Sequence, residues 1–254
     1  MLLALDVGNT SITVGMFRGK KLLLKGRIPT HGPRGAAGYA RSLRALLRCS
    51  RVSPGTIEGV VLSSVVPRAT AMLKQALRAV VPVRPVIVGE NVKAPVVNRY
   101  RIPSQVGQDR LVNAAAACAL YGGPAIVVDF GTAITIDLVT RKREYMGGVI
   151  VPGMEISLEA LVSRAALLPK IEMEKPKEFL GRDTVSSMKS GLFHGYGALC
   201  DGIVRQMKKE HAPSARVIAT GGHSGLIAPY CRTIQVVNPD LTLQGLEVVY
   251  RSIA

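Results

Sequence analysis

Two apolar runs in this chain each end in an aspartate placed two residues before a glycine. Leu2–Leu5 leads into Asp6-Val7-Gly8-Asn9-Thr10, and Ala125-Ile126-Val127-Val128 leads into Asp129-Phe130-Gly131-Thr132. Glycine permits a tight turn and lets a ligand oxygen approach the main chain. Peptide N–H groups, with the side chains of Asn9, Thr10 and Ser11, can donate to phosphate oxygens. A carboxylate beside them can hold a hydrated cation that neutralises phosphate charge. A single turn of this kind is also what an ordinary aspartate-capped hairpin looks like. Two copies at matching places favour a pair of loops gripping a polyphosphate. Thr220-Gly221-Gly222, after another apolar strand, would support a base or ribose.

A second polar constellation is Gly107-Gln108-Asp109-Arg110, where a loop gives way to an alanine-rich run. A carboxylate in a first helical turn serves the helix dipole. It can equally act as a general base toward a substrate hydroxyl, with the neighbouring arginine holding an anion. Other chemistries lack their residues. Gly15-Met16-Phe17-Arg18-Gly19-Lys20 is one residue short of P-loop spacing and has no hydroxyl residue after the lysine. His31, His194, His211 and His223 show no zinc-ligand spacing. No G-x-S-x-G elbow is present.

The elements that must carry these residues alternate strand and helix. Strands are expected at Leu2–Leu5, around Ile12, Val14 and Met16, over Leu22–Ile28 after an Arg18-Gly19 turn, and at Val60–Ser63 and Pro85–Val88. Helices are expected at 36–48, 68–80 and 108–121, the last broken by Gly122-Gly123-Pro124, with an irregular loop over 90–107. The pattern then repeats: strands at 125–128, 134–139 and 146–151 with a basic turn at Arg141-Lys142-Arg143, and helices at 155–165, 187–210 and 243–251. Strand, Asp-x-Gly, second strand and hairpin thus occur twice, nearly half the chain apart. This predicts an α/β protein built from a duplicated domain, with a boundary near 115/116.

Composition narrows the class further. With 254 residues, 48 % of them hydrophobic, the chain can bury a sizeable core. No apolar run reaches membrane-spanning length, and Leu2–Leu5 meets Asp6 too early for a signal segment. Cys49, Cys118, Cys200 and Cys231 are far apart, which suggests reduced thiols in a cytoplasmic protein rather than a disulfide framework. The formal net charge of +16 comes without tryptophan and with only 4 % aromatic residues, and the basic residues are dispersed. That argues for anionic small substrates rather than nucleic acid or a membrane surface.

These segments, together with Ser63-Ser64-Val65-Val66-Pro67, Gly147-Gly148, Pro152-Gly153 and Gly181-Arg182-Asp183-Thr184, resemble the type III pantothenate kinases of bacterial coenzyme A synthesis. These belong to the superfamily of acetate kinase, sugar kinases and actin. The resemblance implies two ribonuclease-H-like (actin-like ATPase) domains, 1–115 and 116–254, with a nucleotide cleft between them. It implies ATP-dependent phosphorylation of pantothenate to 4′-phosphopantothenate, the first step of coenzyme A biosynthesis. Asp6, Val7, Gly8, Asn9, Thr10, Ser11, Ile12 and Thr13 then form the first phosphate loop, with Asp6 near Mg2+. Asp109 is the proton acceptor. Tyr100, Gly107, Gln108, Asp109, Arg110 and Thr184 contact pantothenate, although Thr184 is also placed to cap the helix after it. Thr132 contacts ATP, and Asp129 holds a monovalent cation, K+ or NH4+. A homodimer is implied. Gln108 departs from the alanine usual in the family and leaves Gly107, Asp109 and Arg110 in place.

Overall fold

In strand β1 (Leu2–Val7) every side chain but that of Asp6 is buried, as a strand covered on both faces requires. β1 pairs antiparallel with β2 (Ser11–Arg18), which pairs antiparallel with β3 (Lys21–Pro29). On its other side β1 pairs in parallel with β4 (Gly59–Ser64), and β4 with β5 (Pro85–Ile87), giving the order β3-β2-β1-β4-β5. Helices α1 (Gly35–Cys49) and α2 (Pro67–Val80) pack together on one face. Their Tyr39, Leu43, Leu47, Leu73 and Leu77 share a core with Leu3, Leu5 and Leu62. These features come from a computed structural model that describes residues 1–32 and 35–253.

The stretch expected to be irregular holds a two-residue strand, β6 (Val97–Asn98), and a 3-10 turn at Pro103–Gln105, before α3 (Gln108–Tyr121). The strand pattern then recurs. β7 (Ala125–Phe130) pairs antiparallel with β8 (Ala133–Val139), and β8 with β9 (Glu144–Pro152). After α4 (Met154–Arg164) and the 27-residue α5 (Thr184–Glu210), β10 (Arg216–Thr220) pairs in parallel with β7. Short helix α6 (Ser224–Ile227) leads to β11 (Val236–Val237), parallel to β10. The order β9-β8-β7-β10-β11 repeats that of the first sheet, strand for strand and sense for sense. This is the duplicated ribonuclease-H-like, actin-like ATPase fold.

One assignment differs from the two simple halves. The last helix, α7 (Leu241–Arg251), packs on β1, β2 and β4, so one compact unit comprises Met1–Leu120 and Leu241–Ala254 and the other Tyr121–Asp240. Leu241, Leu243, Leu246 and Val249 form its buried stripe. Gly245 lets it come so close to α3 that a Cβ there would lie 2.5 Å from the Val112 carbonyl oxygen. Within the second unit, Phe130, Ile134, Ile136, Phe193 and Val217 belong to the core.

Candidate functional site

In the first unit, Asp6 sits at the end of β1, in register with Thr13 on β2 and Ser63 on β4. Ser63 Oγ donates to Asp6 Oδ1 at 2.6 Å. The turn that follows is braced on all sides. Gly8 N–H donates to Ser11 O at 3.1 Å, Val65 N–H to Val7 O at 3.1 Å, and Thr30 Oγ1 to Gly8 O at 2.7 Å. Asn9 and Thr10 are exposed, whereas Val7 and Ile12 are buried. Those two can therefore offer a ligand only their main chain.

Asp109 occupies the first turn of α3, where the helix dipole favours a carboxylate. Its Oδ1 accepts the Arg110 N–H at 2.8 Å. Gly107 is required at its position, because a Cβ there would stand 2.4 Å from that same oxygen. Gln108 lies against Gly89, whose φ of +88° favours glycine and where a Cβ would come within 2.6 Å of Gln108 Cδ. The glycine makes room for a side chain longer than alanine. Arg110 is buried, and Tyr100 is half-buried with its N–H on Asn98 Oδ1 at 3.0 Å.

Desolvation first and the Asp109 charge second raise the Asp6 carboxyl to about 7, against the lowering effect of the Ser63 hydrogen bond. Two carboxylates distant in sequence thus share one electrostatic neighbourhood. Hard oxygen donors of this kind suit Mg2+, which keeps several waters and takes substrate phosphates as further ligands. Among the described residues no group of three or more His, Cys, Asp or Glu could hold a metal ion.

In the second unit Asp129 pairs in register with Thr135 on β8 and Thr220 on β10. Thr220 is buried, and its Oγ1 has no hydrogen-bond partner. Gly221, at φ +91°, folds over Asp129 so closely that a Cβ would be 2.3 Å from Asp129 Oδ1. Thr132 is exposed, and its carbonyl accepts the Gly153 N–H at 3.1 Å. His223 N–H donates to Phe130 O at 3.1 Å, and His223 Nε2 lies 3.5 Å from Glu155 Oε1. Thr184 is the exposed first residue of α5 but not its cap. Asp183 fills that role, accepting Ser186 N–H at 2.8 Å while Ser186 Oγ returns to the Asp183 main chain.

A family model for type III pantothenate kinase matches residues 2–206. Over 251 residues the chain is 43 % identical to the type III pantothenate kinase of Halalkalibacterium halodurans, covering 99 % of each protein. The chain belongs to the type III pantothenate kinases. It is also 45 % identical to the Exiguobacterium enzyme of that name, with 98 % of each covered. The structure of a ROK hexokinase from Thermus thermophilus superposes with a TM-score of 0.52 at 15 % identity, covering 100 % of this chain and 99 % of that one, a likeness of fold.

In this type III pantothenate kinase the first unit gathers Asp6, Thr13, Gly107 and Asp109, and the second gathers Asp129, Thr132 and their supporting turns. Sequence reasoning did not single out Ser63 or Gly153 as site residues, and it read Thr220-Gly221 as support for a base or ribose rather than as neighbours of Asp129. A signal for Ser63 existed, since a hydroxyl pair closes an otherwise apolar strand in Val60-Val61-Leu62-Ser63-Ser64. That Thr220 and Gly221 stand beside Asp129 becomes visible only once β10 is known to lie beside β7.

Proposed function

We propose that this chain transfers the γ-phosphoryl group of ATP to the primary hydroxyl of pantothenate, the first step of coenzyme A biosynthesis, with Asp109 taking the hydroxyl proton. Membership in the type III pantothenate kinases supports ATP and pantothenate as its substrates. The observation that carries the catalytic assignment is the neighbouring pair Asp6 and Asp109. Asp6, with its proton affinity raised, is a carboxylate whose charged form a cation would favour. Asp109 sits at a helix N-terminus with Gly107 clearing space for its carboxylate. General-base assistance of this kind contributes typically ~10²–10⁴-fold, and positioning supplies much of the rest.

Mg2+ held by Asp6 would neutralise charge building on the transferring phosphoryl group. The main-chain N–H groups of the 6–13 loop, with Asn9, Thr10, Ser11 and Thr13, orient phosphate oxygens, and Thr132 contacts ATP. Tyr100, Gly107, Gln108, Arg110 and Thr184 bind pantothenate. Asp129 holds a K+ or NH4+ ion, a reading supported by the unpartnered Thr220 hydroxyl beside it on the adjacent strand. Side chains of in-register neighbours project from the same face of a sheet, so both oxygens face one spot. The deciding assay is ADP release coupled to NADH oxidation, with and without pantothenate. ATP turnover that ignores pantothenate would refute the assignment.

The working form is a homodimer. Apolar side chains at Ile156, Leu161, Leu167, Phe179, Leu180 and Val185 are exposed, and a subunit contact would cover them. Beside them, α4 and α5 enclose a groove of about 410 Å³ lined by Leu158, Leu161, Met188 and Leu192. A second copy is its occupant. Light scattering of the wild type and of Leu161→Glu tests this, a monomeric wild type being the refuting result. Among the described residues no helix is long and apolar enough to cross a membrane.

A further inference from the structure

Away from the Asp6 and Asp129 turns, two cysteines of the second unit are held close together. Cys200, on α5, is 1 % exposed and part of the apolar core. Cys231 follows the 3-10 turn Ala228–Tyr230 and is half-buried against the same core. Clamps on either side pin their backbones together. One turn before Cys200, a Cβ at Gly197 would stand 2.2 Å from the Tyr230 carbonyl oxygen, and the Phe193 and Tyr230 rings meet with centroids 5.3 Å apart. One residue after Cys200, the buried Asp201 carboxylate accepts the N–H groups of Arg232 and Thr233 at 2.9 Å and the Thr233 hydroxyl at 2.7 Å. These clamps hold Cys200 and Cys231 as neighbours across α5 and the 3-10 turn, and the Cys231 thiol acts on that of Cys200. Cys231 Sγ also lies 3.6 Å from the Ile227 carbonyl oxygen.

We propose that Cys200 and Cys231 are a redox modification site, at which a hydroperoxide-class oxidant converts the two thiols into a disulfide. Cys231, the more accessible, reacts first. Its thiolate attacks one peroxide oxygen, the O–O bond breaks, and the other oxygen leaves as hydroxide, leaving a sulfenic acid at Cys231. The Cys200 sulfur then attacks the Cys231 sulfur, the S–S bond forms, and the sulfenic oxygen leaves as water with the Cys200 proton. Two thiols and one hydrogen peroxide give one disulfide and two waters; both sulfurs are oxidised and the peroxide is reduced. The Cys231 contact and burial push the Cys200 thiol up, which keeps Cys200 neutral and unreactive toward peroxide on its own. Cys200 is the resolving thiol.

The experiment treats the whole protein with hydrogen peroxide, blocks remaining thiols with N-ethylmaleimide, and maps tryptic peptides by mass. The expected product is a cross-link between the peptide 190–205 and the peptide 217–232, lighter by two hydrogens and released by dithiothreitol. Cys231→Ser and Cys200→Ser should each abolish it. If Cys200→Ser fails to fold, the wild-type map and Cys231→Ser still decide. Both cysteines recovered alkylated, Cys231 recovered as sulfinic acid beside a free Cys200, or cross-links through Cys49 or Cys118 instead, would overturn the proposal.

Discussion

Asp6→Asn should change how stability depends on pH, by an amount the structure sets. In the metal-free protein the Asp6 carboxyl is raised from 3.8 to about 7, by burial first and then by Asp109. The folded state therefore holds this proton more tightly than the unfolded chain does. Stability from this group is fully present below 3.8 and is lost as pH rises toward 7. At about 1.4 kcal/mol per pH unit, the window from pH 5 to pH 8 covers roughly 2.5 kcal/mol, taken as an upper bound. The amide that replaces the carboxyl in Asp6→Asn does not titrate. The urea-unfolding free energy of this variant relative to wild type should rise by up to that amount over this window in EDTA buffer, and level off above pH 7.5. Asp109→Asn should flatten the wild-type slope only in part, because burial is the larger cause. Magnesium competes with the proton for Asp6, so its stabilisation of the wild type should be larger at pH 8 than at pH 6. Wild-type and Asp6→Asn curves that run parallel from pH 5 to pH 8 would refute the reasoning.

Asp109→Asn keeps the side-chain size but cannot accept a proton, so kcat should fall by ~10²–10⁴-fold with little change in either KM; near-normal kcat would require another base. Thr184→Val should raise the pantothenate KM while sparing the ATP KM, by an amount equivalent to ~1–3 kcal/mol. Its melting temperature should stay unchanged, because Asp183 and not Thr184 caps α5. Kinase rate in sodium buffer at saturating magnesium should rise on titration with K+ or NH4+, since a bare Asp129 would repel phosphate by ~4 kcal/mol for unit charges 4 Å apart at an effective dielectric of 20; a flat response rejects the cation. Gly221→Ala forces a Cβ against Asp129 at positive φ and should weaken that activation while lowering stability by roughly 1–3 kcal/mol, read from the K+ half-saturation and the melting temperature.

Much of this protein is written locally. The apolar runs ending at Asp6 and Asp129, the Gly8 and Gly131 turns and the hairpins after them depend on residues within a few positions, so the chain alone specified both copies of the repeat and the place of the turn in each. The helix over 108–121 and the place of Asp109 at its start were equally legible. Other features depend on what the chain brings together from a distance. The apolar stripe of α7 could have covered either sheet, and its packing on β1, β2 and β4 was chosen by the open face of the first unit and the bare backbone of Gly245. The cap of α5 went to Asp183 because its carboxylate reaches the Ser186 N–H, a contest that Thr184 also entered on sequence. Nothing in the spacing of Asp6 and Asp109, or of Cys200 and Cys231, announces that the members of each pair are neighbours. Pattern and turn chemistry act over a few residues. Electrostatic and thiol neighbours are set by which surfaces must be buried together, and that is decided only when the strands have been ordered and the helices laid across them.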